Sequence, residues 1–189
     1  MKAKLVLFLL ATVALLSPQP LRAQAPRPVA VADFVDESLD GRFIRARRLS
    51  GELQRLLAQQ ADGRLRVIAG DEVWAALQVR SYTPDDLVYP SKAAEVAAAV
   101  GAEWIVTGRW TRLRLIHLPE PRTPPDLRHG SQDGWAYATL QVRVLETSTR
   151  RVLLEQAYST NVFGLATPFL LQIAARKVLE DAAAGIARL

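Results

Sequence analysis

The chain has no cysteine among its 189 residues. That excludes disulfide staples, thiol chemistry and lipid attachment through a cysteine, so stability has to come from the core alone. Histidine is nearly as scarce. His117 and His129 are the only two, and neither stands in HExxH or HxH spacing, so an imidazole metal centre has no sequence support. No Gly-x-Ser-x-Gly nucleophile turn and no glycine-rich phosphate loop occurs. Asp33, Asp36, Glu37 and Asp40 are the densest acidic group, but they lack the alternating Asp/Asn positions and central glycine of a calcium loop. They read instead as a solvated turn before a helix N-terminus, where carboxylates are favoured. The expectation is a protein with no catalytic residues, no cofactor and no metal: not an enzyme.

What is present begins with an address. Lys2 and Lys4 precede an apolar run, Leu5–Leu16, that Ser17, Pro18 and Pro20 end, with small residues at Ala23 and Ala25. This is the pattern of a cleaved secretory signal, with the cut after residue 23 or 25. The apolar run is too short to span a bilayer. The expected location is the periplasm, as a soluble protein and not a lipoprotein. The formal charge of +5 falls to +2 once Lys2, Lys4 and Arg22 are removed, and 19 of the remaining 21 basic residues are arginine. Positive and negative residues are interspersed, which fits coding bias better than a dedicated anion surface.

After a Pro-rich lead-in at 24–28, residues 29–189 read as one domain of ordinary size. Val29–Phe34 is a compact apolar run suited to a buried first strand. Ile44–Gln60 has helical spacing through Leu49, Leu53, Leu56 and Leu57. Arg64–Ala69 reads as a strand, Gly70 and Asp71 as the cap of a short helix over Glu72–Gln78, and Ser81–Pro90 as a polar loop. Ser91 suits the cap of an Ala-rich helix, Lys92–Val100, stopped by Gly101. Trp104–Leu115 and Trp135–Glu146 read as strands separated by the Pro-rich loop His117–Gly134. Arg151–Thr160 completes a hairpin across Thr147–Arg150, and Pro168–Leu189 forms a terminal helix. The order is β-α-β-α-α-β-β-β-α, a mixed β-sheet with helices packed on it, in the α/β class.

Three segments resemble known envelope domains. Val29-Ala30-Val31-Ala32-Asp33-Phe34 is similar to the opening strand of TolB N-terminal-like and CsgG-like domains. Ala93–Gly108, AAEVAAAVGAEWIVTG, resembles their helix, Gly-Ala, strand, Thr-Gly segment, and TLQVRVLETSTRRVLLEQAYST resembles the paired strands that follow. The resemblance runs from about Val29 to the C-terminus and is nearest to small secreted proteobacterial proteins. It implies a TolB N-terminal/CsgG-like sandwich serving as a periplasmic binding or assembly module. No β-propeller follows the domain, and the lipid-bearing cysteine of CsgG is missing, so neither the whole TolB role nor an anchored pore is implied.

The candidate site is a surface. Trp135, Tyr137, Thr139, Gln141 and Arg143 share one face of their strand, opposite the small apolar residues Ala136, Ala138, Leu140, Val142 and Val144. Arg109, Arg112 and Arg114 interleave with Trp110 on the preceding strand. Trp, Tyr and Arg are the usual anchors of protein interfaces. The expectation is an envelope protein partner, with Trp110, Trp135 and Tyr137 as anchors and Arg109, Arg112 and Arg143 orienting its acidic groups. The exported location argues against nucleic acid, and no stable membrane anchor is expected. Arg42, Arg45, Arg47 and Arg48 read as a solvated helix face paired with the acidic turn. Two further readings stay open. One is a small-molecule or envelope-polymer binder using the Ser81–Pro90 and His117–Gly134 loops as a cleft; the other is a ring-forming secretion component. The sequence does not set the oligomeric state.

Overall fold

The computed structural model describes residues 25–38, 46–118 and 133–189. The leader at 1–23, Asp40, Arg42, Arg45, His129 and most of the Pro-rich loop lie outside the described residues. The order is β1 (Arg27–Val31), β2 (Val35–Asp36), α1 (Ala46–Gln60), β3 (Leu65–Val67), α2 (Gly70–Val79), a 3-10 turn (Pro84–Val88), α3 (Pro90–Ala99), β4 (Trp104–His117), β5 (Asp133–Glu146), β6 (Val152–Leu165) and α4 (Pro168–Ile186). The fold is mixed α/β, as the sequence indicates. The sheet runs β3-β1-β4-β5-β6, with β2 pairing the continuation of β4. β1 is parallel to β3 and β4, and β4, β5 and β6 form an antiparallel meander.

β1 lies between two strands and under two helical layers, which is why it reads as an unbroken apolar run. Val29 and Val31 pack with α1 and α4 in the larger core, whereas Ala30 and Ala32 pack with α2 and α3 in the smaller one. The expected single strand through Phe34 is two short pieces. Ala32–Phe34 breaks out of the ladder, and Val35–Asp36 rejoins β4 opposite Arg109 and Trp110. The break swings the Phe34 ring over Gly108, where an added Cβ would lie 2.5 Å from the ring. Glycine is required there by close packing.

Helix starts differ from expectation in two places. α2 begins at Gly70 with Ala69 as its cap, so Asp71 lies in the first turn. α3 begins at Pro90, whose fixed φ suits the first helical position, and Ser91 is inside the helix rather than capping it. Gly101 does end this region in the left-handed conformation, φ +66°. On α4 the expected stripe Leu171, Ala174, Ala175, Val178, Leu179, Ala182 and Ile186 is buried, but Leu189 is exposed beyond the helix end. α1 and α4 cover the inner face of the sheet, and α2 and α3 cover the outer face only over β1 and the adjoining ends of β4 and β5.

Candidate partner-binding face

Among the described residues no helix covers the outer half of the β4–β5–β6 meander, which is built in cross-strand rows. Ile116, Trp135 and Phe163 form one, followed by Arg114, Tyr137 and Asn161, then Arg112, Thr139 and Ser159, then Arg109, Gln141 and Ala157, then Thr107, Arg143 and Glu155. Trp135 and Tyr137 are half-buried on this face, as the alternation of β5 indicates, and α4 lies on the other side. Trp135 packs against Phe163 at 5.1 Å between ring centroids and against Tyr137 at 6.4 Å. The Arg112 guanidinium stacks 4.5 Å above the Tyr137 ring. Phe163 and Leu165 are 50% and 54% exposed, and the register puts both on the outer face beside Trp135.

Trp110 is a correction. It is fully buried in the larger core, edge-on to Phe34, and cannot meet a partner. It keeps step with the inward-facing Trp104 and Val106, and a β-bulge follows it, between Trp110 and Arg112. In a regular strand Trp110, Arg112 and Arg114 would share one face. The extra residue, Thr111, leaves Trp110 inward opposite Leu140 and turns Arg112 and Arg114 outward to join Arg109.

Arg109 and Arg143 also stand on the outer face, each already engaged. Arg109 Nη1 donates to Glu37 at 2.6 Å. Arg143 donates through Nη2 to Glu155 at 2.6 Å and through Nη1 to the Val88 carbonyl at 2.8 Å. Arg109, Arg143 and Glu155 line a cleft of about 300 Å³ between the sheet and the 3-10 turn, with Asp85, Thr107, Gln141 and Gln156 as further polar walls. Part of the Ser81–Pro90 segment therefore does border a cleft. The 3-10 turn is fastened by Asp86, which accepts from Lys92 Nζ at 2.6 Å and from the Thr83 amide and hydroxyl. Lys92, then the two Thr83 donors, hold the Asp86 carboxyl down at about 2.

The acidic turn is occupied by local contacts. Asp33 accepts from Ser50, Asp36 from Ser38, and Glu37 from Arg109. Arg47 reaches Asp71 at 2.8 Å and lies over Trp74, so this arginine joins α1 to α2.

Phe163 is the site residue that sequence reading passes over, because it ends the last strand at Thr160. The alternation continues, however: Tyr158, Thr160 and Val162 point inward while Ser159, Asn161, Phe163 and Leu165 point outward.

No family model matches this chain, and neither does any curated protein. Solved structures are similar in fold. Lipoprotein GNA1162 from Neisseria meningitidis has a TM-score of 0.54 at 14% identity, covering 84% of this chain and 99% of that one. LpoB from Escherichia coli has 0.52 at 16% identity, covering 74% of this chain and 58% of that one. PelC from Paraburkholderia phytofirmans, a dodecamer, has 0.47 at 14% identity, covering 82% and 86%. The first two bear on the fold alone: this chain shares its α/β architecture with a lipoprotein and with LpoB.

Proposed function

We propose that the chain is an exported, non-enzymatic protein-binding or assembly factor of the cell envelope, of the TolB N-terminal-like and CsgG-like kind, acting through the outer face of its meander. Trp135, Tyr137 and Phe163 are the anchors, and Arg112 orients acidic groups of the partner from its place above Tyr137. Arg109 and Arg143 contribute less, since each already holds a glutamate. The observation that carries this reading is the contiguous aromatic cluster on a face that neither helical layer covers among the described residues. Such clusters concentrate binding energy in a few residues.

The test is crosslinking of intact cells that express a C-terminally tagged chain, followed by identification of what is retained. One enriched envelope protein is expected. The Trp135→Ala/Tyr137→Ala variant should remain folded and lose it, with affinity down by about 30-fold or more, the scale of at least one hot-spot residue. Retention by the folded variant would remove this face from the reading.

A second reading rests on the cleft beside the 3-10 turn, whose mixed donors and acceptors suit a polar small molecule or a glycan. A rise in melting temperature with one of a panel of glycans, nucleotides or metals, in a protein that captures no partner, would favour it.

A further inference from the structure

β6 is an edge strand of 14 residues, Val152–Leu165, and among the described residues its free edge makes one backbone hydrogen bond, from the Thr167 amide to the Leu165 carbonyl at its end. It contains no proline or lysine and one charged residue, Glu155. Natural proteins rarely leave such an edge unguarded. α4 runs back across β5 and β6, positioned by two contacts: Leu170 against Gly164, and Gly185 against the Tyr158 hydroxyl. Arg176 and Glu180 pair on the side of α4 whose charges act on Glu52 and Arg55 of α1. The opposite side therefore flanks the free edge, and the charges of Asp181 and Arg188 act on Tyr158 of β6. Successive turns along that side carry Lys177, Asp181, Ala184 and Arg188. Neither Lys177 nor Asp181 has an ion-pair partner among the described residues.

This stripe is complementary to itself when reversed. A two-fold axis level with Leu179 sets Lys177 against Asp181 of a second copy, and Asp181 against its Lys177. Interpolation between the two α4–β6 contacts puts that level close to Thr160 on the strand. Antiparallel pairing of β6 with itself about Thr160 then aligns Ala157 with Phe163, Tyr158 with Val162, and Ser159 with Asn161. No like charges meet. Strands pair about 4.8 Å apart, so a helix straddling β5 and β6 lies about 5 Å from the axis and its copy about 10 Å away, the normal distance for packed helices. Strand and helix thus satisfy one symmetry operation.

We propose that the chain forms a closed two-fold dimer through β6 and α4, joining two sheets edge to edge. The reciprocal contact uses up the long edge, so the assembly stops at two. The axis stands perpendicular to the sheet, and both Trp135–Tyr137–Phe163 clusters face the same way. The inference does not depend on the proposed function: Trp135 and Tyr137 lie outside the interface, and Phe163, whose strand does pair, keeps its side chain on the outer face.

The test is light scattering of the full chain over a concentration range, with charge exchange. The wild type is expected to have twice the chain mass. Asp181→Lys, which sets lysines against each other, should weaken association at least 10-fold. Lys177→Asp/Asp181→Lys should restore it, as should mixing the single variants Lys177→Asp and Asp181→Lys, in which opposite charges meet only between copies. A wild-type monomer up to about 100 μM, well above the Kd of a weak specific pair, would overturn the dimer. So would a dimer indifferent to Asp181→Lys, or a double variant that is folded and still monomeric.

Discussion

Trp110 and Trp135 stand on neighbouring strands of one sheet, and both read from the sequence as anchors for a partner. Trp110 is sealed under α1 and α4, fully buried. Trp135 lies on the opposite face with its ring against Phe163 and Tyr137 and part of it in solvent. Residue type does not separate them, and neither does the character of the flanking residues. The difference is alternation: Trp110 keeps step with Trp104 and Val106 on the inner face, Trp135 is out of step with Ala136 and Ala138, and the residue inserted after Trp110 reverses only the arginines that follow it. On this sheet an aromatic belongs to the core or to a surface by register.

The two tryptophans should therefore respond differently to truncation. Trp110→Ala leaves a large cavity beside Phe34 and is expected to cost about 3–5 kcal/mol. Trp135→Ala should cost about 1–2 kcal/mol, from lost stacking and partial burial. Urea denaturation of both variants checks this. Equal losses would mean that the outer cluster is a second core rather than a binding surface.

How far the sequence discloses each face follows from the same register argument. The β5 alternation and the α4 stripe were legible because both elements are regular and one-sided. Their apolar positions recur at 2 and about 3.6 residues, with little to compete. The bulge at Thr111 has no mark in residue type, since Thr-Arg-Leu-Arg-Leu continues an ordinary strand pattern. The break at Ala32–Phe34 is likewise invisible, because the apolar run from Val29 continues through Ala32 and Phe34 to Val35 with only Asp33 between. Phe163 was missed for another reason: Asn161 and Gly164 look like connector residues although they lie within β6. For the site, Trp135 and Tyr137 were readable, whereas the loss of Trp110 and the gain of Phe163 depend on pairings that only tertiary structure fixes.

The inner face carries an imperfection that sharpens the comparison. The Tyr158 hydroxyl is buried against Gly185 with no hydrogen-bond partner among the described residues, and burial pushes its pKa up. A buried polar group without a partner carries its desolvation cost uncompensated. Tyr158→Phe keeps the ring and removes the hydroxyl, so stability should rise by about 1 kcal/mol. A fall in the denaturation midpoint would show that the hydroxyl has a partner in solution. Burial governs this face, and its stability should respond to side-chain shape far more than to pH.

The outer layer depends on charge where the inner depends on volume, and acid should tell them apart. Asp86 fastens the 3-10 turn beside the cleft through Lys92 and Thr83, and its carboxyl sits at about 2 against an ordinary 3.8. A carboxylate depressed on folding contributes stability in full above its unfolded value and loses it as pH falls through the folded one. The contribution is thus complete above about pH 4 and disappears toward pH 2. The pair is solvent-exposed, so screening keeps the effect small, the smallest of those considered. Glu52 is also lowered, by its bond to Arg55, and adds its own acid sensitivity, so wild type must be compared with Asp86→Asn. The variant should be less stable than wild type at pH 6, and the difference should close between pH 4 and 2. A gap that persists at pH 2 would mean that Asp86 holds the turn by shape and hydrogen-bond geometry, independently of its charge.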